Sequence, residues 1–445
     1  MPRLIIALAL LALASPAVCA EPLPAADAPA LLKTFFAEED AAKRADLAAR
    51  FAAVAPKSWP DLKAMLHAAA PYEPLAAGTQ NFTTPGDAAV PAVNYLLRVP
   101  AGYAADAHRG WPLIVVCHGT GGNARKALDM VEKWLGGDAD NYLLAAPDAP
   151  AGGVYEAGRV MTDYPLHVLR DVRRRANVDS DRTFLAGVSK GGYTTWGTAL
   201  FSPGEWAGAA PVASFPLTEA GAADVTLYLP NVLRLAVQAH WGENDIVAGE
   251  KKGINTFSRE AAAELKRLGG KSFEGIEYPG QGHGVAVDTK RLATFFAAMK
   301  RDPFPADCRM LFHRIAQGRT YYVRATAGAI EEFDFTAKRV LTVSRAEDLP
   351  RAKRTLFTQK GYEITVRMPA GANQIDVQTR NLKEVEIELP VERLDFARPI
   401  RITANGRTVA AGVRKVDYAE LLETARRTRD FERLIGGRLK ATVAK

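Results

Sequence analysis

Ser189 stands in a setting that can make it a nucleophile, Gly187-Val188-Ser189-Lys190-Gly191. A serine hydroxyl attacks poorly at neutral pH unless a neighbouring base takes its proton. The G-x-S-x-G pattern supplies the geometry when a strand precedes it and a helix follows it. The chain then turns sharply and holds the serine Oγ clear of the backbone, as a nucleophile elbow. Thr183 to Ala186 is apolar and β-tolerant, and the residues from Gly192 on suit a helix. Without Cβ atoms, Gly187 and Gly191 let strand and helix close around a strained serine. A five-residue match can also arise by chance in a chain with 36 glycines. The reading therefore turns on whether an acid and a base follow.

Both do, each at the end of an expected strand. Asp245 lies in AVQAHWGENDIV, after the strand expected over Leu233–Trp241. His283 lies in YPGQGHGV, after a strand ending at Tyr278, with Gly282 and Gly284 on either side. An imidazole titrates near working pH and can accept the serine proton. A carboxylate on its far nitrogen fixes the tautomer and stabilises the imidazolium. Glu243 is the rival acid. The order Ser189, Asp245, His283 is that of α/β-hydrolases and differs from the chymotrypsin and subtilisin orders. An oxyanion needs two N–H donors. One is the Lys190 N–H, directly after the nucleophile. The other is expected from His118-Gly119-Thr120-Gly121-Gly122-Asn123, which follows the apolar strand WPLIVVC. Thr120 is the preferred donor and Gly121 the second. Tyr193 and Trp241 are candidates for the substrate pocket, with packing in the core as the competing reading. By resemblance to α/β-hydrolases, His118 is implied to be structural, beside the oxyanion loop; His240 is expected to be a packed strand residue. His67, His108, His167 and His313 have no partner motif.

The segments HGTGG, DRTFLAGVSKGG, GENDIV and GQGHG together resemble the α/β-hydrolase superfamily. They are most similar to secreted esterases of the polyhydroxybutyrate-depolymerase and feruloyl-esterase type, and to prolyl-oligopeptidase-like catalytic domains. The resemblance spans about residues 93–302. It implies an acyl-enzyme on Ser189, formed from an ester-containing small-molecule or polymer substrate, with no metal or organic cofactor. Serine peptidase activity is the alternative on the same chemistry. No upstream segment is expected to hold the β-propeller that gates prolyl oligopeptidases. A different class, a binding protein with a degenerate hydrolase domain, would leave the β-rich region as the working part.

The elements that must position these residues give an α/β fold. Alternating strands and helices from Val93 to Lys300 predict a mostly parallel sheet with helices on both faces. Arg3, the apolar Leu4–Ala14 and small residues at Val18 and Ala20 read as a signal peptide over 1–20, hence a secreted or periplasmic protein. Residues 21–72 read as a helical segment, 73–305 as the catalytic domain and 306–445 as a β-rich domain. Within the first of these, Leu31, Leu32, Phe35 and Phe36, then Leu47 and Phe51, recur at helical spacing. Pro71–Pro91 reads as a linker or loop. After Pro303, short β runs and the hairpin signal Asn405-Gly406 predict a separate all-β module, with a helix over Tyr418–Arg429. No later run is long enough to span a membrane. The stretch from Cys308 carries 27 Lys and Arg against 17 Asp and Glu. No basic run or basic–aromatic motif accompanies that excess, so nucleic acid is not an expected partner. Cys117 and Cys308 are expected as free buried thiols, and no Cys/His cluster has metal-ligand spacing.

Overall fold

The computed structural model describes residues 27–87, 90–104, 109–149, 159–218, 225–246, 253–270, 272–333 and 343–443. The signal-peptide reading of 1–20, His108 and most of a strand expected at Arg339–Val343 lie outside them. The chain begins with three helices whose apolar stripes follow the sequence spacing. α1 (Ala28–Ala37) buries Leu31, Leu32, Phe35 and Phe36. α2 (Ala41–Val54) starts where the Asp40 carboxylate accepts from the N–H groups of Ala42 and Lys43. α3 (Trp59–Ala69) starts where the Ser58 hydroxyl accepts from the Asp61 N–H. These side-chain caps satisfy donors that a helix N-terminus leaves open.

The frame of the site follows: β1 (Gly78–Thr83), β2 (Asn94–Val99), β3 (Trp111–Cys117), α4 (Ala124–Leu135), β4 (Leu143–Pro147), α5 (Arg159–Arg175), β5 (Val178–Val188), α6 (Lys190–Phe201), β6 (Gly208–Val212), β7 (Ala236–Gly242), α7 (Ile254–Arg267), β8 (Phe273–Tyr278) and α8 (Thr289–Ala298). The strands form one eight-stranded sheet in the order β1-β2-β4-β3-β5-β6-β7-β8. β2 runs antiparallel to both its neighbours, and the pairings from β4 to β8 are parallel. This is the α/β-hydrolase arrangement. Alternate residues of one strand feed two cores: Leu113, Val115 and Cys117 pack on one face, Ile114 and Val116 on the other. A sheet covered on both faces explains why WPLIVVC is apolar throughout.

Two expectations are corrected here, and one strand was not foreseen. β1 lies inside the stretch read as a loop; its half-exposed, polar sequence pairs only with β2. β6, GAAPV, is a central strand that carries no β-branched or aromatic signal before its last residue, and Pro211 speaks against an interior strand. β7 starts at Ala236, because Leu229–Val232 makes a turn of 3-10 helix first.

The C-terminal region contains β9 (Asp307–Phe312), β10 (Val323–Gly328), α9 (Leu349–Lys360), β11 (Tyr362–Arg367), β12 (Gln374–Arg380), β13 (Leu382–Pro390), β14 (Ile400–Ala404), β15 (Arg407–Gly412), α10 (Tyr418–Thr428) and β16 (Ile435–Thr442). Five strands order as β15-β14-β12-β11-β9 and three as β10-β13-β16. Asn405 and Gly406 both have positive φ, 48° and 80°, as a type I′ hairpin turn requires. The region is β-rich but not all-β, since α9 joins α10. One apolar cluster runs from the large sheet into it, from Leu113 and Leu185 to Phe312, Tyr362 and Ile387. α1, α2 and α3 bury their stripes against Leu421, Leu422 and Ala425 of α10 and against Phe431 and Leu434. The first and last parts of the described chain thus share one core. Among the described residues no helix is long and apolar enough to cross a membrane.

Candidate active site

The elbow forms as the glycine positions require. Ser189 ends β5 in a left-handed conformation, φ 56°. A Cβ on Gly191 would lie 2.1 Å from the Cys117 carbonyl oxygen, and one on Gly187 would lie 2.3 Å from the Gly191 carbonyl oxygen. Neither position can hold a side chain. Ser189 is the N-cap of α6, yet its hydroxyl makes no capping bond. Serine at that position normally accepts from the first turn. Here the Oγ lies 2.8 Å from His283 Nε2.

His283 Nδ1 lies 3.1 Å from each carboxylate oxygen of Asp245. The carboxylate can only accept, so Nδ1 carries the proton and Nε2 is left to accept from the serine hydroxyl. Asp245 is 4% exposed, whereas the His283 side chain is 52% exposed. The Asp245 hydrogen bond raises the imidazole pKa above its ordinary 6.5, against partial burial, which lowers it. The acid turn and the histidine loop are sewn together. The Asn244 N–H donates to the Gln281 carbonyl at 2.8 Å, and the Gly280 N–H donates to a Glu243 carboxylate oxygen at 2.7 Å. Glu243, the rival acid, is thus turned toward Gly280. Asn255, at the start of α7, holds the acid turn twice: its N–H donates to the Asp245 carbonyl at 3.0 Å and its Nδ2 to the Glu243 carbonyl at 2.7 Å.

The loop expected to supply an oxyanion donor is a tight turn beside Ser189. The Gly122 N–H donates to the Gly119 carbonyl at 3.0 Å, and Gly121 has φ +68°. With Thr120 and Gly121 at its centre and positive φ only at the second, this is a type II turn, which needs glycine there. His118 braces it: Nδ1 donates to the Gly119 carbonyl at 2.8 Å, and Nε2 accepts from the Ala149 N–H at 3.1 Å. A Cβ on Gly119 would lie 3.4 Å from the Ser189 Cβ. The Gly119 carbonyl is directed at His118 and Gly122, and in a trans peptide the Thr120 N–H then points the opposite way. Lys190 is the first residue of α6, where helix N–H groups are directed outward along the axis.

The two pocket candidates separate. Tyr193 is half-buried one turn after Ser189, with its ring edge-on to Phe215 at 5.1 Å between centroids. Trp241 belongs to the core: it is 4% exposed, and its indole N–H donates to Glu277 at 2.7 Å. The pocket reading of Trp241 is therefore corrected; an aromatic in β7 alternates into the sheet's packed face. His240 is fully buried between Tyr278 and Gln238, and burial drives its pKa down to about 4. His67 is buried between Asn177 and Glu432. Cys117 and Cys308 are free and buried, and burial pushes both thiols up to about 12. Sequence reasoning missed Phe215, Asn255 and Ala213. Only the second glycine after the elbow, Gly192, hinted that something packs close there.

Fold and site together define the class, an α/β-hydrolase fold with serine, histidine and aspartate joined at the carboxyl ends of its strands. No family model and no curated protein sequence matches the chain. Among solved structures it is similar to a thermostable esterase, at 20% identity and a TM-score of 0.39 over 50% of this chain and 63% of that one. It is also similar to LpqC, a poly(3-hydroxybutyrate) depolymerase from Bordetella parapertussis, at 17% and 0.36 over 49% and 87%. A third is an acylaminoacyl peptidase from Pyrococcus horikoshii, at 14% and 0.39 over 51% and 43%. These scores carry no argument about the reaction; the class rests on strand order and site.

Proposed function

We propose that this protein is a serine hydrolase that cleaves carboxylic esters through an acyl-enzyme on Ser189. The observation that carries the reading is the Ser189 Oγ at 2.8 Å from His283 Nε2, with Asp245 on the opposite ring nitrogen. His283 takes the Ser189 proton as Oγ bonds to the ester carbonyl carbon. The oxyanion is held by the N–H groups of Lys190 and Thr120, with Gly121 as the alternative donor. Collapse expels the alcohol, which receives the proton from His283. Water, deprotonated by the same imidazole, then attacks the acyl carbon and releases the acid. The exposure of His283, beside a half-buried Ser189, favours substrates that approach from solvent. Export from the cytoplasm, read from residues 1–20, is part of the proposal, as is the division at residues 72 and 305.

A fluorophosphonate probe tests the nucleophile. Wild type is expected to be labelled covalently and Ser189→Ala not at all; a folded wild-type protein that takes no label refutes the proposal. Substrate type is decided by p-nitrophenyl esters against peptide p-nitroanilides. Turnover of amides without turnover of short-chain esters would move the protein to the peptidase reading.

A further inference from the structure

Five non-glycine residues among those described have positive φ: Ser189, Ala213, Asn381, Asn405 and Arg429. Asparagine tolerates the left-handed region, and Arg429 ends α10, where helices commonly turn left-handed. That leaves Ser189 and Ala213, with φ of 56° and 48°. Alanine has no local reason to be there, since the conformation costs any residue with a Cβ and glycine nothing. Strained residues of this kind persist only where their surroundings hold them, and they concentrate at functional sites.

The two are neighbours across the β5–β6 pair. The Ser189 N–H donates to the carbonyl of Val212, the residue before Ala213, at 2.9 Å. The Ala213 N–H donates to the His240 carbonyl of β7 at 2.8 Å. The left-handed step then takes the chain out of the strand direction and under the first turn of α6. Ser214 is 1% exposed, and its Oγ has no hydrogen-bond partner among the described residues. It presses on position 192, where a Cβ would lie 2.3 Å from that Oγ. The Phe215 ring then meets Tyr193. The turn at 212–215 therefore touches the nucleophile's N–H, the second glycine after it, and the aromatic ring one turn on.

We propose that Ala213 is a positioning residue: its left-handed turn, locked by the β6–β7 hydrogen bond, sets the height and direction of Ser189. This rests on the reading of Ser189 as nucleophile. Its role is through the backbone angle, so glycine should substitute for it and a β-branched residue should not.

The test compares Ala213→Gly and Ala213→Val in the full-length protein, by the rate of fluorophosphonate labelling, kcat and KM on p-nitrophenyl acetate, and Tm. Ala213→Gly is expected to keep kcat within about 3-fold of wild type, with Tm unchanged or raised. Ala213→Val, assayed well below its Tm, is expected to lose at least about 10-fold in kcat and labelling rate, with KM changed less than 2-fold. A folded Val variant with wild-type kcat overturns the proposal. So does a Gly variant that loses as much kcat as Val, which would make the methyl group and not the angle responsible. If Val does not fold, Ala213→Gly decides: a clear fall in its Tm or kcat refutes a strained, angle-dependent position. Failure of the wild type to take label would instead refute the nucleophile reading, and the Gly Tm would still report on strain.

Discussion

At the scale of single residues, the proposed reaction would link activity to proton binding at the His283–Asp245 pair with a definite sign. The serine needs a neutral imidazole, so the rate must fall as pH drops through the His283 pKa. The Asp245 hydrogen bond raises that pKa, so the acid limb of kcat/KM against pH is expected to have its inflection above 6.5. An inflection below 6.5 would contradict the role of His283. Asp245→Asn removes the carboxylate and is expected to lower kcat by about 10³–10⁴-fold while shifting the limb to lower pH. Stability responds the other way. A histidine whose folded pKa is raised stabilises the fold fully below its unfolded value of about 6.5, and that contribution is lost as pH rises through the folded pKa. The form best held by the ion pair is thus the inactive one. At this scale the sequence was informative: Ser189, Asp245 and His283 were legible because each follows the end of an expected strand and is bracketed by glycine or turn residues. Ala213 and Asn255 were not, because backbone angles and hydrogen bonds to carbonyls leave no mark in residue type.

At the scale of elements, α6 is held at both ends. Its first turn carries Ser189. Near its end the Leu200 carbonyl meets Asn231, which is 1% exposed and whose Nδ2 donates to it at 3.0 Å and to the Leu311 carbonyl of β9 at 2.9 Å. Asn231 Oδ1 accepts from the Leu311 N–H at 2.7 Å. One buried amide thus ties the helix that follows Ser189 to β9 of the C-terminal region. Aromatic contacts reinforce the tie: Phe201 meets Tyr228 at 5.0 Å, Tyr228 meets Phe357 of α9 at 5.3 Å, and the Tyr228 hydroxyl is 2.9 Å from His313 Nδ1. Asn231→Leu keeps the branched four-atom side chain, replaces its amide by methyl groups, and leaves buried carbonyl and amide groups unpaired. It is expected to destabilise the protein by about 3 kcal/mol, read in urea unfolding; a loss under about 1 kcal/mol would refute the tie. The strands around α6 were only partly readable. β3 and β5 announce themselves by apolar runs, while GAAPV of β6 holds its place through close packing, which favours small residues without β propensity.

At the scale of the molecule, a buried ionic knot joins the large-sheet region to the C-terminal one, with an ion pair to the first helices beside it. Arg301, after α8, is 1% exposed on its side chain and binds both carboxylate oxygens of Asp430 at 2.8 Å, with Asp181 of β5 at 2.9 Å. Arg173 of α5 and Arg433 converge on Glu205, at 2.9 and 3.5 Å. Next to the knot, Lys63 of α3 reaches Glu432 at 3.3 Å. Burial alone would raise the Asp430 pKa, but Arg301 and Arg173 hold it well below the usual carboxylate range. Removing one partner strands the others without water. Asp430→Ala is therefore expected to cost about 3–5 kcal/mol, or to abolish soluble expression, and a Tm within 2 °C of wild type would contradict it. None of this was visible in sequence, where the excess of Lys and Arg after Cys308 does not show which charges pair.

The shared core has a consequence for how such a chain is inherited. Domains that touch through a wet, polar seam can be exchanged between genes as cassettes. Here Asn231 spends its amide on β9, and Phe201 and Tyr228 spend their rings on residues beyond 305. A recombination event near residue 305 would leave both halves with exposed apolar faces and orphaned hydrogen bonds. The two parts are expected to be copied, lost and duplicated together. A chain of this build is expected to diversify by point changes and loop insertions around Ser189 and not by trading its β-rich half.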